Sequence, residues 1–84
     1  MNPNIHITHF EVLTNYQIKV WFSDSTNGIV DLASELWGEV FEPLKMESYF
    51  KQVYLHPNCK TLTWPNGADF APEYLKNLTE INSV

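Results

Sequence analysis

The chain predicts an α+β fold: a small antiparallel sheet, made of a three-stranded meander plus a second hairpin, with short helices. Three observations carry this. Tyr16, Ile18, Val20 and Phe22 alternate strictly with Gln17, Lys19, Trp21 and Ser23, which is the period of a strand with one buried face. Runs of turn-forming residues separate successive strand-like stretches, so neighbours in sequence pair as hairpins. Short helical patterns beginning at Asp31, Lys45 and Pro72 interrupt the strands and place helical pieces on one face of the sheet.

Ile5 to Leu13 is rich in β-branched and aromatic residues. Phe10 and Val12 alternate about Glu11, as in a half-buried strand. Thr14-Asn15 supplies a two-residue turn, because Asn tolerates positive φ. In the second strand Tyr16, Ile18, Val20 and Phe22 take the core face. Trp21 falls on the opposite face, which is either covered or used for binding. Ser23-Asp24-Ser25-Thr26-Asn27-Gly28 closes the next hairpin into Ile29-Val30-Asp31.

A short helix is expected from Asp31, its N-cap, to Leu36, with Gly38 as the stop. Phe41 to Leu44 is expected to be extended, since Pro43 disfavours helix in the residue before it. Lys45 to Phe50 reads as one or two helical turns, in which Leu44 or Met46 shares a buried face with Phe50. Gln52 to Leu55 and Lys60 to Trp64 form the second hairpin about a turn at His56-Pro57-Asn58-Cys59. Pro72 suits the first turn of a last helix ending near Leu78, and residues 79–84 are expected to fray.

The 84 residues hold one domain, 1–84, ordered over about 5–78. A chain this short buries only about 60% of its unfolded surface, so its three Trp, four Tyr and five Phe must carry much of the core. Cys59 is the only cysteine, which rules out an internal disulfide and fits a reducing cytoplasm. Met1-Asn2-Pro3-Asn4 is polar and no apolar run approaches the ~20 residues that span a bilayer. The expectation is a cytoplasmic protein without membrane contact.

Ten acids face five lysines, there is no arginine, and the formal net charge is −5. Tight binding to a phosphate backbone needs clustered cations, so direct nucleic-acid binding is not expected. A basic partner suits this charge, although acidity also serves simply to keep a small protein dispersed.

Twelve residues, Trp64-Pro65-Asn66-Gly67-Ala68-Asp69-Phe70-Ala71-Pro72-Glu73-Tyr74-Leu75, concentrate aromatics, prolines and a turn. One reading is architectural. Trp64 ends a strand with its ring in the core, Pro65-Asn66-Gly67 turns the chain with Gly67 at positive φ, and Asp69 bonds nearby backbone N–H groups. The other reading is a recognition surface of Trp64, Asn66, Asp69 and Glu73. Both hold together if a rigid loop is also a contact surface.

The segments Phe22-Ser23-Asp24, Ile29-Val30-Asp31-Leu32, Gly38-x-x-Phe41-x-x-Leu44, Phe50-x-x-Val53 and Thr61-Leu62-x-Trp64-Pro65-Asn66-Gly67-Ala68-Asp69 resemble the bacterial domain-of-unknown-function family 2442 over about Ile5 to Leu75. Trp-Pro-Asn-Gly-Ala-Asp is the most specific part. Ser25 departs from the pattern, since the family usually has Gly after the acidic turn residue. The resemblance implies an α+β fold with an antiparallel sheet. Members are often encoded beside a small toxin-like protein and some carry an added helix-turn-helix, for which this chain leaves no room after Leu75. It therefore implies an antitoxin-like binding role, not catalysis.

Other chemistry is thinly represented. His6-x-x-His9 and His56-x-x-Cys59 have usable metal spacing, but residues three apart on a strand point to opposite faces, and a tetrahedral site needs both pairs to converge. Asp24, Asp31, Glu35, Asp69 and Glu73 lie in turns and helix starts, where acids are common for structural reasons. No nucleophile elbow or glycine-rich phosphate loop appears. Cys59 beside Lys60 would have a lowered thiol pKa if exposed, though a lone Cys is more often simply packed.

The expectation is a non-enzymatic protein-interaction domain with no cofactor and no metal. Its aromatic anchors are Trp21, Trp37 and Tyr54, with Trp64, Asn66, Asp69 and Glu73 beside them. Its partner is another protein, a small basic toxin-like one. The alternatives are a small-molecule or metal-binding domain around His6, His9, His56 and Cys59, and a homodimer that pairs its second sheet face with itself.

Overall fold

The computed structural model describes residues 5–82, with side chains described as far as Thr79. Strands β1 (Ile7–Val12), β2 (Gln17–Phe22) and β3 (Asn27–Asp31) form an antiparallel meander in that order. A 3₁₀ turn at Ala33–Glu35, a second at Glu42–Lys45 and the one-turn helix α1 (Glu47–Phe50) follow. A separate hairpin, β4 (Tyr54–Leu55) and β5 (Leu62–Thr63), precedes the last helix, α2 (Pro72–Asn82). The fold is α+β, as the alternation and the hairpin spacing predict.

The register explains the core. Phe10 opposes Val20, Val12 opposes Ile18, and Ile18 in turn opposes Val30, so one face of the meander is apolar. Ile18, Val20 and Val30 are fully buried there, and α2 packs against β3. Helices 3₁₀ and α1 add Leu44 and Phe50, the second hairpin adds Leu62, and Trp64 lies among them with no exposed surface. The indole N–H of Trp64 donates to the Phe50 carbonyl at 2.8 Å, so the largest core ring also has its one polar atom satisfied.

Several local expectations are corrected. The first hairpin turns at Asn15 and Tyr16, both at positive φ, one residue later than Thr14-Asn15. Tyr16 therefore sits in the turn, half-buried, not on the strand's core face. It still reaches the core: its ring meets Phe50 edge-on at 5.2 Å and its hydroxyl donates to the Lys45 carbonyl. Phe41 to Leu44 is not extended. Glu42–Lys45 is a 3₁₀ turn with Pro43 in its first positions, where a missing N–H costs no hydrogen bond. Of Leu44 and Met46, Leu44 is buried and Met46 is exposed.

The helix after Asp31 is shorter than expected, only Ala33–Glu35, and the Asp31 carboxylate accepts the Ala33 N–H at 3.0 Å. Gly38, at φ +89°, opens the following turn by accepting the Phe41 N–H, so it does not close a helix. Gly28 is not in the turn but in β3, opposite Val20. Helix α2 does not end at Leu78. It runs to Asn82, and Thr79 is buried against Gly28; the expected fraying at 83–84 lies outside the described residues.

Candidate functional site

The Trp64–Asp69 loop is built from backbone needs. The Trp64 N–H donates to the Ala68 carbonyl at 2.9 Å, and Gly67, at φ +91°, donates its N–H to the Trp64 carbonyl at 2.9 Å. The Asn66 side chain serves two elements at once. Its Oδ1 accepts the Ala68 N–H at 3.1 Å, while Nδ2 donates to the Val40 carbonyl at 2.8 Å. That second bond fastens the loop to the turn after Gly38. Past the loop, Asp69 bridges to Thr63, and the Thr61 hydroxyl donates to the Phe70 carbonyl at 2.5 Å. Residues 69–70 are thus held beside β5 just before Pro72 starts α2.

These ties bring two distant segments together. Glu35, Trp37 and Phe41 from one, and Asp69, Phe70, Ala71 and Tyr74 from the other, line an open, mainly apolar groove of about 360 Å³. Phe70 stacks on Phe41 with centroids 4.9 Å apart and on Tyr74 at 6.2 Å, the latter pair nearly parallel at 8°. Phe70 itself is buried and edge-on to Trp64 at 5.9 Å, which anchors the aromatic row in the core. Trp37 is 73% exposed and Tyr74 43%.

The Tyr74 hydroxyl donates to the Glu35 carboxylate, and that hydrogen bond raises the phenol pKa. Among the described residues no donor holds the Asp69 carboxylate. The groove is therefore walled by rings and carries one engaged and one open carboxylate.

The residues singled out from sequence scatter around this groove. Trp37 and Asp69 line it. Asn66 is exposed but both ends of its amide are used to hold the loop to Val40 and Ala68. Glu73 is exposed in the first turn of α2 and is not among the lining residues. Trp64 is corrected: with no exposure it presents nothing to a partner and belongs wholly to the core. Tyr54, on β4, is 41% exposed and lies apart from the groove.

Trp21 lies on the open face of the meander, half-buried, with His9 tilted against it at 4.8 Å and Lys19 Nζ 5.1 Å above its ring. A hollow of about 580 Å³ on β2 and β3 is lined by the polar Gln17, Lys19, Asn27 and Asp31, by Ile29, and by Gly28 and Thr79 where α2 meets β3. That mixed polar lining offers less apolar area to bury than the groove does. Phe41, Phe70 and Tyr74 were missed as site residues. The signal for two of them was the Phe70-x-x-x-Tyr74 spacing, which stacks side chains one turn apart where a helix begins.

The metal-like residues do not form a cluster. His6 and His56 line a shallow hollow of about 230 Å³ with Lys60. His56 Nδ1 accepts the backbone N–H of Asn58 and of Cys59, each at 3.1 Å, and so stabilises the turn. His9 is against Trp21 and Cys59 is exposed. Among the described residues no group of three or more His, Cys, Asp or Glu is placed to hold a metal ion. Asp24 is also engaged: Lys76 Nζ at 2.7 Å, and then the Thr26 hydroxyl at 2.6 Å, lower its pKa to about 2.

A meander sheet, a short second hairpin and an aromatic groove between a loop and a terminal helix define the class: a small α+β domain with a surface groove. The chain belongs to the family described as protein of unknown function (DUF2442), whose model matches residues 7–79. No curated protein matches it. A crystal structure of a "putative DNA binding protein" from Nitrosomonas europaea has the same fold, with a TM-score of 0.82 at 16% sequence identity. The match covers 94% of this chain and 51% of that one, so this chain spans about half the length of its structural neighbour. No helix among the described residues is long and apolar enough to cross a membrane.

Proposed function

We propose that this domain is a non-enzymatic interaction module that docks a small basic protein in the groove between Trp37 and Tyr74, as an antitoxin-like partner that restrains it. The groove itself carries the reading: exposed aromatic rings over an apolar floor, with carboxylates at Glu35 and Asp69. Rings of this size concentrate binding energy, and the net charge of −5 favours a cationic partner. Two of the carboxylates singled out from the sequence are engaged in structure, Asp24 with Lys76 and Asp31 with the Ala33 N–H. A reducing cytoplasm suits the exposed Cys59.

The description of the structural neighbour raises nucleic acid as a ligand. The charge of this chain argues against it here. It has five lysines and no arginine, and Lys45 and Lys76 are already paired with Glu42 and Asp24.

Site-specific photo-crosslinking in the native cells tests the proposal. A crosslinking residue at Trp37 should capture a small basic protein, and one at Tyr54 should not. Capture of nothing from position 37, or only of a second copy of this chain, rejects the docking role; the second copy would establish the homodimer instead.

A further inference from the structure

We infer that the groove is an arginine receptor: the partner inserts a guanidinium group against the rings of Trp37 and Tyr74 and pairs it with Asp69. This rests on the docking role of the groove and names its occupant.

Three features select that chemistry. First, the two large exposed side chains of the groove, Trp37 and Tyr74, are flat π-systems. A planar guanidinium stacks on such faces, and cations are drawn to their negative quadrupole. Second, the lining is largely apolar, with Phe41, Phe70 and Ala71 lining it together with the exposed rings. A group entering it must give up water, and guanidinium is more weakly hydrated than the lysine ammonium. Third, the two carboxylates differ. Glu35 already accepts the Tyr74 hydroxyl, whereas among the described residues nothing occupies Asp69. Both oxygens of Asp69 are therefore open to a forked, bidentate donor, which arginine supplies and lysine does not.

The Glu35–Tyr74 bond has a positional role in this arrangement. It holds the outer ring of the row near parallel to Phe70, at 8°, and so keeps a flat surface for stacking. The chain itself contains no arginine, so no residue of its own competes for the groove with the same group.

Titration of the full, isotope-labelled chain with blocked Gly-Arg-Gly, Gly-Lys-Gly and Gly-norleucine-Gly peptides, followed by NMR, tests this. The arginine peptide should shift the Trp37 indole, Ala71 and Tyr74 signals and bind at least about fivefold tighter than the lysine peptide, with norleucine weakest. Asp69→Asn should bring the arginine and lysine peptides within about twofold of each other, because the fork then has no charged acceptor. Trp37→Ala should weaken both, and its exposed position leaves folding intact. Equal response to arginine and lysine, stronger response to norleucine, no response, or shifts confined to the β1–β3 face would each overturn the arginine assignment. The crosslinking result is independent of these peptides: a basic protein captured at position 37 with no arginine preference would retain the docking role and reject its proposed anchor.

Discussion

Gly28 faces Thr79 across the contact between β3 and α2, so closely that a Cβ built on Gly28 would stand 2.8 Å from Thr79 Cβ. A strand glycine here is a packing requirement, because the missing side chain is the space into which the helix settles. The opposing atom is a Cβ, which moves only if the helix backbone moves.

Gly28→Ala is therefore expected to destabilise the fold by about 1–3 kcal/mol, the range for overpacking, even though alanine restricts the unfolded chain. Urea denaturation measures it. Adding Thr79→Gly should recover part of the loss, less the ~1 kcal/mol helix penalty of glycine, and a double-mutant cycle should show coupling. Additive effects would mean that the two positions do not touch.

Two tryptophans should behave oppositely. Trp64→Phe removes the donor to the buried Phe50 carbonyl and leaves a void, at an expected cost of about 2–4 kcal/mol. Trp37→Phe, at an exposed site, should change stability by under ~0.5 kcal/mol. Chemical denaturation of both variants checks the contrast.

Ser25 holds φ +73° in the β2–β3 turn, a left-handed conformation that costs a residue with a Cβ about 1–2 kcal/mol. Ser25→Gly removes that cost but loosens the unfolded chain, so a gain of up to ~1 kcal/mol is expected. Ser25→Val should destabilise. A melting series of the three proteins ranks them.

Acid should act at the Asp24–Lys76 pair, which ties the β2–β3 turn to α2. The Asp24 pKa is lowered from 3.8 to about 2, so its contribution is complete above the unfolded value and disappears as pH falls from about 4 through 2. Carboxyl NMR titration should place its midpoint near 2. Lys76→Met should move that midpoint up toward 3.8, and an unchanged midpoint would show that the ion pair does not form in solution.

Much of the sheet was legible because its signal is local. The alternation of Ile18, Val20 and Phe22 with Lys19 and Trp21 is a property of five adjacent residues, and a strand is the one geometry that sorts them onto two faces. Gly67 at positive φ and Pro72 at the start of α2 were legible for the same reason, since each states a backbone constraint at its own position. The errors came where one local rule met a tertiary demand. Pro43 reads as a helix breaker, yet a 3₁₀ turn accepts it because burying Leu44 pulls the chain round. Thr79 looks like the start of a fraying tail, yet the gap at Gly28 gives it a place to pack.

The groove is the opposite case. Trp37 and Asp69 could be named as exposed, interaction-prone residues, but nothing near either one says that they share a surface. The amino-acid order determined the strands, the turns and an acidic balance, because those depend on neighbours along the chain. Only the folded chain decided between the two readings of Trp64, for the core and against the contact surface, and brought Phe41, Phe70 and Tyr74 together to line a groove. The physical reason is that the Asn66–Val40 bond joins positions 26 residues apart and the packing of α2 on β3 brings Thr79 to Gly28, about fifty residues earlier, and contacts of that range leave no periodic mark in the sequence.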